Sequence, residues 1–414
     1  MTRALVDAQG GAEALTLLDT LARAPAAAVL VVAALKRAED RKALRLAHMQ
    51  LRDAVGEAAT KLTVFARDSA AAARPPTPRR WPRLEELTLR RPDSAALEAL
   101  STEPWGRLRT LRIGDHHADA ALSDLDEPAA HALAAALRRM PALRLLELWR
   151  LELPDAAAEV LFGAEGAAPG LRTLAIATPK LSPAAARALA AAGWPLEELH
   201  MFCNRGLGAA GVAALLAAPT FAICRLSLGG CGLDAATLLA LANAPWPLDG
   251  INLSGNDFSA AATAPALAAL SRHAGLRKLN VSSCRLSTAV FKALVEATWP
   301  ALTYLGASRA AVEFDGPHAL GAAAFAGFPA LEELHLSPVE LGEAGARLLA
   351  SRRWARLRVL FLEGAQLGDA GLAALARGAW PAMTCLSLRN NGLSARLTLE
   401  AARRWAPALV HLYS

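Results

Sequence analysis

The stretch LRVLFLEGAQLGDAGLAALARGAWPAM, residues 357–383, contains two physical halves. Its opening, L-x-x-L-x-L, alternates apolar and variable positions with period two, the pattern of a short strand buried on one face. The GDAGLAALARGAW half that follows is rich in strong helix formers at helical spacing, and Pro381 stops it. Two more stretches repeat the design: LRKLNVSSCRLSTAVFKALVEATWPAL at 276–302 and MTCLSLRNNGLSARLTLEAARRWAPAL at 383–409. Working outward, the opening recurs with its first position at Leu84, Leu108, Leu143, Leu171, Leu196, Ile223, Leu248, Leu276, Leu302, Leu331, Leu357, Met383 and Leu409. The mean spacing is about 27 residues. A unit of that size buries its apolar face only by stacking on its neighbours. The pattern therefore predicts an α/β solenoid of about 13 repeats over residues 84–414, a curved parallel sheet inside and helices outside.

Eight residues after several of these first positions stand Asn204, Cys231, Asn256, Cys284 and Asn391, while Pro92, Leu151, Pro179 and Ala310 break the series. With this spacing the chain resembles the ribonuclease-inhibitor-like class of leucine-rich-repeat proteins over about residues 81–414. The resemblance implies a right-handed solenoid whose Asn and Cys side chains form a buried hydrogen-bond ladder.

Tryptophan follows the same register. Trp81, Trp105, Trp194, Trp246, Trp299, Trp354, Trp380 and Trp405 each lie two to four residues before a repeat's first apolar position, several followed by proline. We read these eight as plugs between helix end and strand. Trp149 is the single exception.

The first 73 residues lack the repeat and read as helices at roughly 11–22, 25–38, 40–49 and 50–66, with a Pro-rich linker at 74–83. Residues 1–83 hold 14 Lys and Arg against 8 Asp and Glu, so the chain's whole net charge of +6 sits there. A helical cap shielding the solenoid end explains this region. The segment AVLVVAALKRAEDRKALRLAHMQLRDAV, within residues 14–60, also resembles an F-box, although it lacks the usual Leu-Pro opening and has Leu51 where an aromatic is expected. That resemblance implies docking to the adaptor of a cullin-type ubiquitin ligase, with substrate held by the solenoid. Lys36, Arg37, Arg41, Lys42, Arg45 and Arg52 are interrupted by Glu39, Asp40 and Asp53, and the region's only aromatic besides Trp81 is Phe65, so no nucleic-acid partner is expected.

In each strand, positions 3, 5 and 7 point away from the buried leucines onto the concave face. Trp149, with Glu147 beside it, and Phe202, with Glu198 and His200, lie two strands apart across Ala175 and Ala177. Their separation predicts an apolar slot roughly 10 Å wide with the two acids on its rim. The alternative is that the inserted segment after Gly114 covers Trp149. Tyr304, His335, Phe361, Arg389 and Tyr413 form a second group, and Ser, Asn and Gly occupy the stretch between. These ten residues are the candidate partner-binding set.

Other chemistry is not expected. Asp115, His116, His117, Asp119, Asp124 and Asp126 lack the HExxH and EF-hand spacings, so they read as an acidic loop and no metal or cofactor is predicted. No GxxxxGK[ST] loop is present, and Cys385, the one cysteine at an open-face position, has no evident base. The longest apolar run, Ala26–Leu35, is too short to cross a bilayer, and the N-terminus lacks a leader's basic-then-apolar order. With 54% hydrophobic residues, disorder is excluded, and five cysteines without CxxC pairs fit a reducing compartment, cytoplasmic or nuclear. The final LVHLYS supplies a strand without a helix, an end expected either to pair or to mark a fragment. The sequence points to a non-enzymatic protein-interaction solenoid. A stand-alone inhibitor or GTPase-regulating leucine-rich-repeat protein is the second reading.

Overall fold

The computed structural model describes residues 60–65, 77–79, 81–90, 92, 94–114, 123–163, 167–178, 181–309, 311–313, 320–396 and 411–413. Fourteen strands form one parallel sheet in strict chain order, from Lys61–Phe65 to His411–Tyr413. Thirteen of them are the thirteen L-x-x-L-x-L copies. The chain is a leucine-rich-repeat solenoid.

The fourteenth strand corrects the sequence reading. Lys61–Phe65 pairs with Glu86–Arg90 in register, Lys61 opposite Glu86 and Val64 opposite Leu89. The helix expected over 50–66 therefore does not extend to its end, and the sheet begins a repeat before residue 84. Alternation is present in KLTVF, but Ala59 occupies the first apolar position, which hid the copy. The helices expected over 11–49 lie outside the described residues.

One face of the sheet is buried by the repeated geometry of each unit. In the copy at 357, Leu357, Leu360 and Leu362 are fully buried, whereas Val359 and Phe361 are half-buried on the opposite face. The helices pack side by side behind the sheet, among them Glu127–Arg138, Pro183–Ala191, Ala235–Ala242 and Thr288–Glu296. Asp126, Ser182 and Asp234 cap three of these by accepting backbone N–H bonds of the first turn.

The chain leaves its strands through left-handed residues at one repeat position: Arg150, Cys203, Gly230, Gly255, Ser283, Arg309, Gly364 and Asn390 all have φ between 51° and 70°. The ladder residue is the next in the chain, and its side chain enters the core. Asn256 Nδ2 donates to the carbonyls of Leu228 and Leu253 at 2.9 and 2.7 Å, and its Oδ1 accepts the Leu233 N–H at 3.2 Å. Asn204 and Asn391 make the same kind of bridge. Cys231 and Cys284 donate a single thiol bond to the previous repeat, to Met201 and Leu253. Burial pushes both thiols up to about 11, so they remain protonated donors. Where Leu151, Val339 and Ala365 take this position, apolar packing replaces the bridge.

The tryptophan plugs are buried in six of the eight predicted positions, Trp81 is partly buried, and Trp405 lies outside the described residues. Their indole N–H groups divide by spacing. Trp105, Trp299, Trp354 and Trp380 stand three residues before the next strand's first leucine or methionine. Each donates to the carbonyl five residues earlier, capping the end of the preceding helical segment, at 2.8 to 3.1 Å. Trp194 and Trp246 stand two residues before, and their buried Nε1 atoms have no hydrogen-bond partner among the described residues. The missing residue draws the ring out of reach of the helix end. Trp299→Ala is expected to cost about 3 kcal/mol or more of stability through the cavity it leaves. Trp299→Phe should cost about 1 kcal/mol more than Trp246→Phe, because only the first leaves a carbonyl unpaired. Urea denaturation of the four proteins checks both.

Candidate functional site

Strict parallel register converts alternate positions into columns running across the strands. One column reads Glu198, Arg225, Gly250, Lys278, Tyr304, Glu333, and the next reads His200, Ser227, Asn252, Asn280, Gly306, His335. All ten candidate partner-binding residues fall on this face, eight of them on strands of the same sheet and Phe202 and Arg389 in the turns just beyond Glu198–Met201 and Cys385–Ser387.

The predicted slot is not present. Trp149 and Phe202 stack with ring centroids 6.2 Å apart and planes inclined by 16°, and His200 continues the stack at 6.1 Å from Phe202. Ala175 and Ala177 put only methyl groups between the rings, so the rings lean together over the alanine floor and close the gap. The two acids are not a free rim either. Glu147 accepts from Arg112 Nε at 2.8 Å and from Trp149 Nε1 at 3.1 Å. Arg112 also reaches Glu86 at 3.3 Å, and Glu86 pairs with Lys61 at 2.6 Å. Lys61, with Arg112 also bonded, holds the Glu86 carboxyl below the ordinary carboxylate range. Glu198 pairs with Arg225 and lies 3.5 Å from His200 Nε2. The first group is thus a half-buried aromatic stack anchored by a ladder of alternating charges. The inserted segment that could cover Trp149 lies largely outside the described residues.

The second group divides in two. Tyr304, His335 and Phe361 form a continuous aromatic row, with centroids 5.2 and 4.6 Å apart. Gly306 makes room for it: a Cβ built there would stand 2.7 Å from the Tyr304 hydroxyl. Arg389 lies over the Tyr413 ring at 4.9 Å, a separate cation–π pair.

Between the stack and the row lies a hollow of about 630 Å³, lined among others by Phe202, Ser227, Asn252, Lys278 and Tyr304. In the sequence this stretch reads only as Ser, Asn and Gly between two aromatic groups. Its residues were legible at positions 3 and 5, but the flanking walls depend on where the rings lean. Cys385, at the far end of the face, is pushed up by burial, which moves it away from a reactive thiolate. Among the described residues no cluster of three or more His, Cys, Asp or Glu is placed to hold a metal ion. No described helix is long and apolar enough to cross a membrane.

No protein-family profile matches the chain, and no curated protein matches it. Several solved structures are similar in fold. The TLR13 chain of a TLR13–ssRNA13 complex shares 20% identity at a TM-score of 0.46, over 75% of this chain and 43% of that one. An internalin (inlF) from Listeria monocytogenes shares 15% identity at 0.42, over 87% and 88% of the two chains. A structure of the yeast Rad7 and Elc1 complex shares 15% identity at 0.46, over 80% and 74%. The chain thus spans less than half the length of the TLR13 chain it matches.

Burial pushes both concave-face imidazoles below their ordinary value of 6.5, against the opposing pull of Glu147 on His200 and of Glu333 on His335. A histidine with a lowered folded-state pKa binds fewer protons folded than unfolded. Its contribution to stability is whole above pH 6.5 and is lost as pH falls through the folded value. The melting temperature should therefore fall between pH 7 and pH 5. His200→Gln with His335→Gln should flatten that dependence, read by thermal melts across the range.

Proposed function

We propose that the chain is a non-enzymatic protein-binding solenoid that holds its partner on the concave face. One observation carries this reading: a hollow bounded at both ends by aromatic side chains that are half-buried within the molecule and have room to be covered further. Half-buried aromatic anchors around a polar floor are where protein interfaces concentrate binding energy. The surrounding charges are mostly paired, so partner choice rests on shape and on a few unpaired groups rather than on a single-sign field.

A photoreactive phenylalanine analogue placed at Phe202 or Phe361 should cross-link bound partners from cell extract. The same group at Leu239, exposed on the helical side, should not. Phe202→Ala and Phe361→Ala should each weaken binding of a captured partner by more than about 1 kcal/mol without changing the fold. Equal capture at all three positions would overturn the reading.

The more specific form of the proposal is that residues 14–60 act as an F-box-like element, making the protein a substrate receptor of a cullin-type ubiquitin ligase. Its support is the sequence resemblance, which lies almost wholly outside the described residues. A stand-alone regulator of another enzyme, ribonuclease-inhibitor-like or GTPase-regulating, is the competing form. Full-length protein should co-purify with the ligase adaptor and lose it on Leu46→Asp with Leu51→Asp. Absence of the adaptor from both preparations favours the stand-alone regulator. The localisation we propose, cytoplasmic or nuclear, follows from the cysteine usage.

A further inference from the structure

Three cations occupy the third-position column of the sheet. Lys61 pairs with Glu86 and Arg225 pairs with Glu198, but Lys278, exposed at the centre of the hollow, has no ion-pair partner among the described residues. Between Arg225 and Lys278 the column holds Gly250, paired in register with both. The two basic strand positions stand about 10 Å apart, with no side chain between them. A Cβ built at Gly250 would lie 3.6 Å from Arg225 Cγ and 3.9 Å from Lys278 Cβ, so this notch exists because the residue is glycine.

The floor beside the notch supplies more donors. Asn252 and Asn280 turn their Oδ1 atoms back to the N–H groups of Ser254 and Ser282, at 3.0 and 2.9 Å. Their Nδ2 groups have no partner among the described residues. Ser227, 2% exposed and next to Asn252 in register, carries a buried hydroxyl without a hydrogen-bond partner. A buried polar atom left unpaired costs free energy that a bound polar ligand recovers.

We propose that this notch seats a carboxylate side chain of a protein partner, held by Lys278 and the donors of the floor, with an apolar neighbour of that acid resting on Phe202 or Tyr304. This rests on the concave-face reading above. Acids at the far rim decide between a peptide and a nucleic acid. Glu333 stands two strands beyond Lys278, and Glu332 lines the same end of the hollow. A single acidic residue fits beside Lys278 without meeting them, whereas a run of phosphates would be carried across both. The site thus selects an isolated Asp or Glu in an otherwise neutral or basic segment.

The test uses the full chain and a phage-displayed library of random 12-residue peptides. Selected peptides should be enriched in a single Asp or Glu at a fixed distance from an aromatic or leucine residue. Their resynthesised forms should lose at least tenfold in affinity on Lys278→Glu, and on Gly250→Val, which fills the notch without changing charge. Both variants should keep the wild-type melting temperature, since Lys278 is exposed and Gly250 does not use a left-handed backbone conformation. Replacing the acid by its amide should reproduce the loss. Peptides that ignore both substitutions but are lost with Phe202→Ala and Phe361→Ala would overturn the carboxylate seat and leave the concave-face reading standing. Peptides indifferent to all four substitutions, or a library that gives no binder, would overturn both. A 12-nucleotide oligouridylate that binds more tightly than the peptides and is equally sensitive to Lys278→Glu would overturn the assignment to a protein partner.

Discussion

A parallel strand finds its hydrogen-bond partners only on neighbouring strands, and here every interior strand has the preceding and following repeats on its two sides. No repeat is complete alone. The short strands, often three residues long, cannot hold a register by length. What holds it is the repeated burial of the first, fourth and sixth positions, because a slip of one residue would move leucines onto the open face. The same constraint turns every variable position into a member of a column, so the composition of the open face is fixed by the register of the buried one.

Two local devices close each unit behind the sheet. A left-handed residue turns the chain out of the strand, and an Asn or Cys side chain behind it serves carbonyls that the turn leaves without a strand partner. At the other end, tryptophan fills the gap below the helix and, when the connection is long enough, bonds a carbonyl of its last turn. Neither device is obligatory. Leu151, Val339 and Ala365 show apolar filling in place of the ladder bond, and Trp194 and Trp246 show packing without the indole bond. The solenoid tolerates these losses because each repeat contacts only its neighbours, so a local deficit stays local.

The open face gains its relief from small residues as much as from large ones. Ala175 and Ala177 let Trp149 and Phe202 collapse together, Gly306 lets the Tyr304 ring lie along the sheet, and Gly250 leaves the notch between Arg225 and Lys278. Neighbouring charges then pair across strands wherever register brings opposite signs within reach. Lys278 differs because its register neighbours are Gly250 and Tyr304.

Read alone, the sequence yields the strand-then-helix solenoid, thirteen of its strands, the ladder positions, six buried tryptophan plugs and the register positions of the concave face. All of these follow from spacing, and spacing is written along the chain. It missed the strand Lys61–Phe65, since Ala59 is too small to mark the repeat's first position. Packing in three dimensions closes Trp149 and Phe202 into a stack, pairs Glu147 and Glu198 with cations, and opens a hollow between the aromatic groups. Those outcomes depend on side-chain directions and on contacts between residues 27 to 53 positions apart, where torsional freedom of a few bonds decides whether two rings enclose a space or fill it.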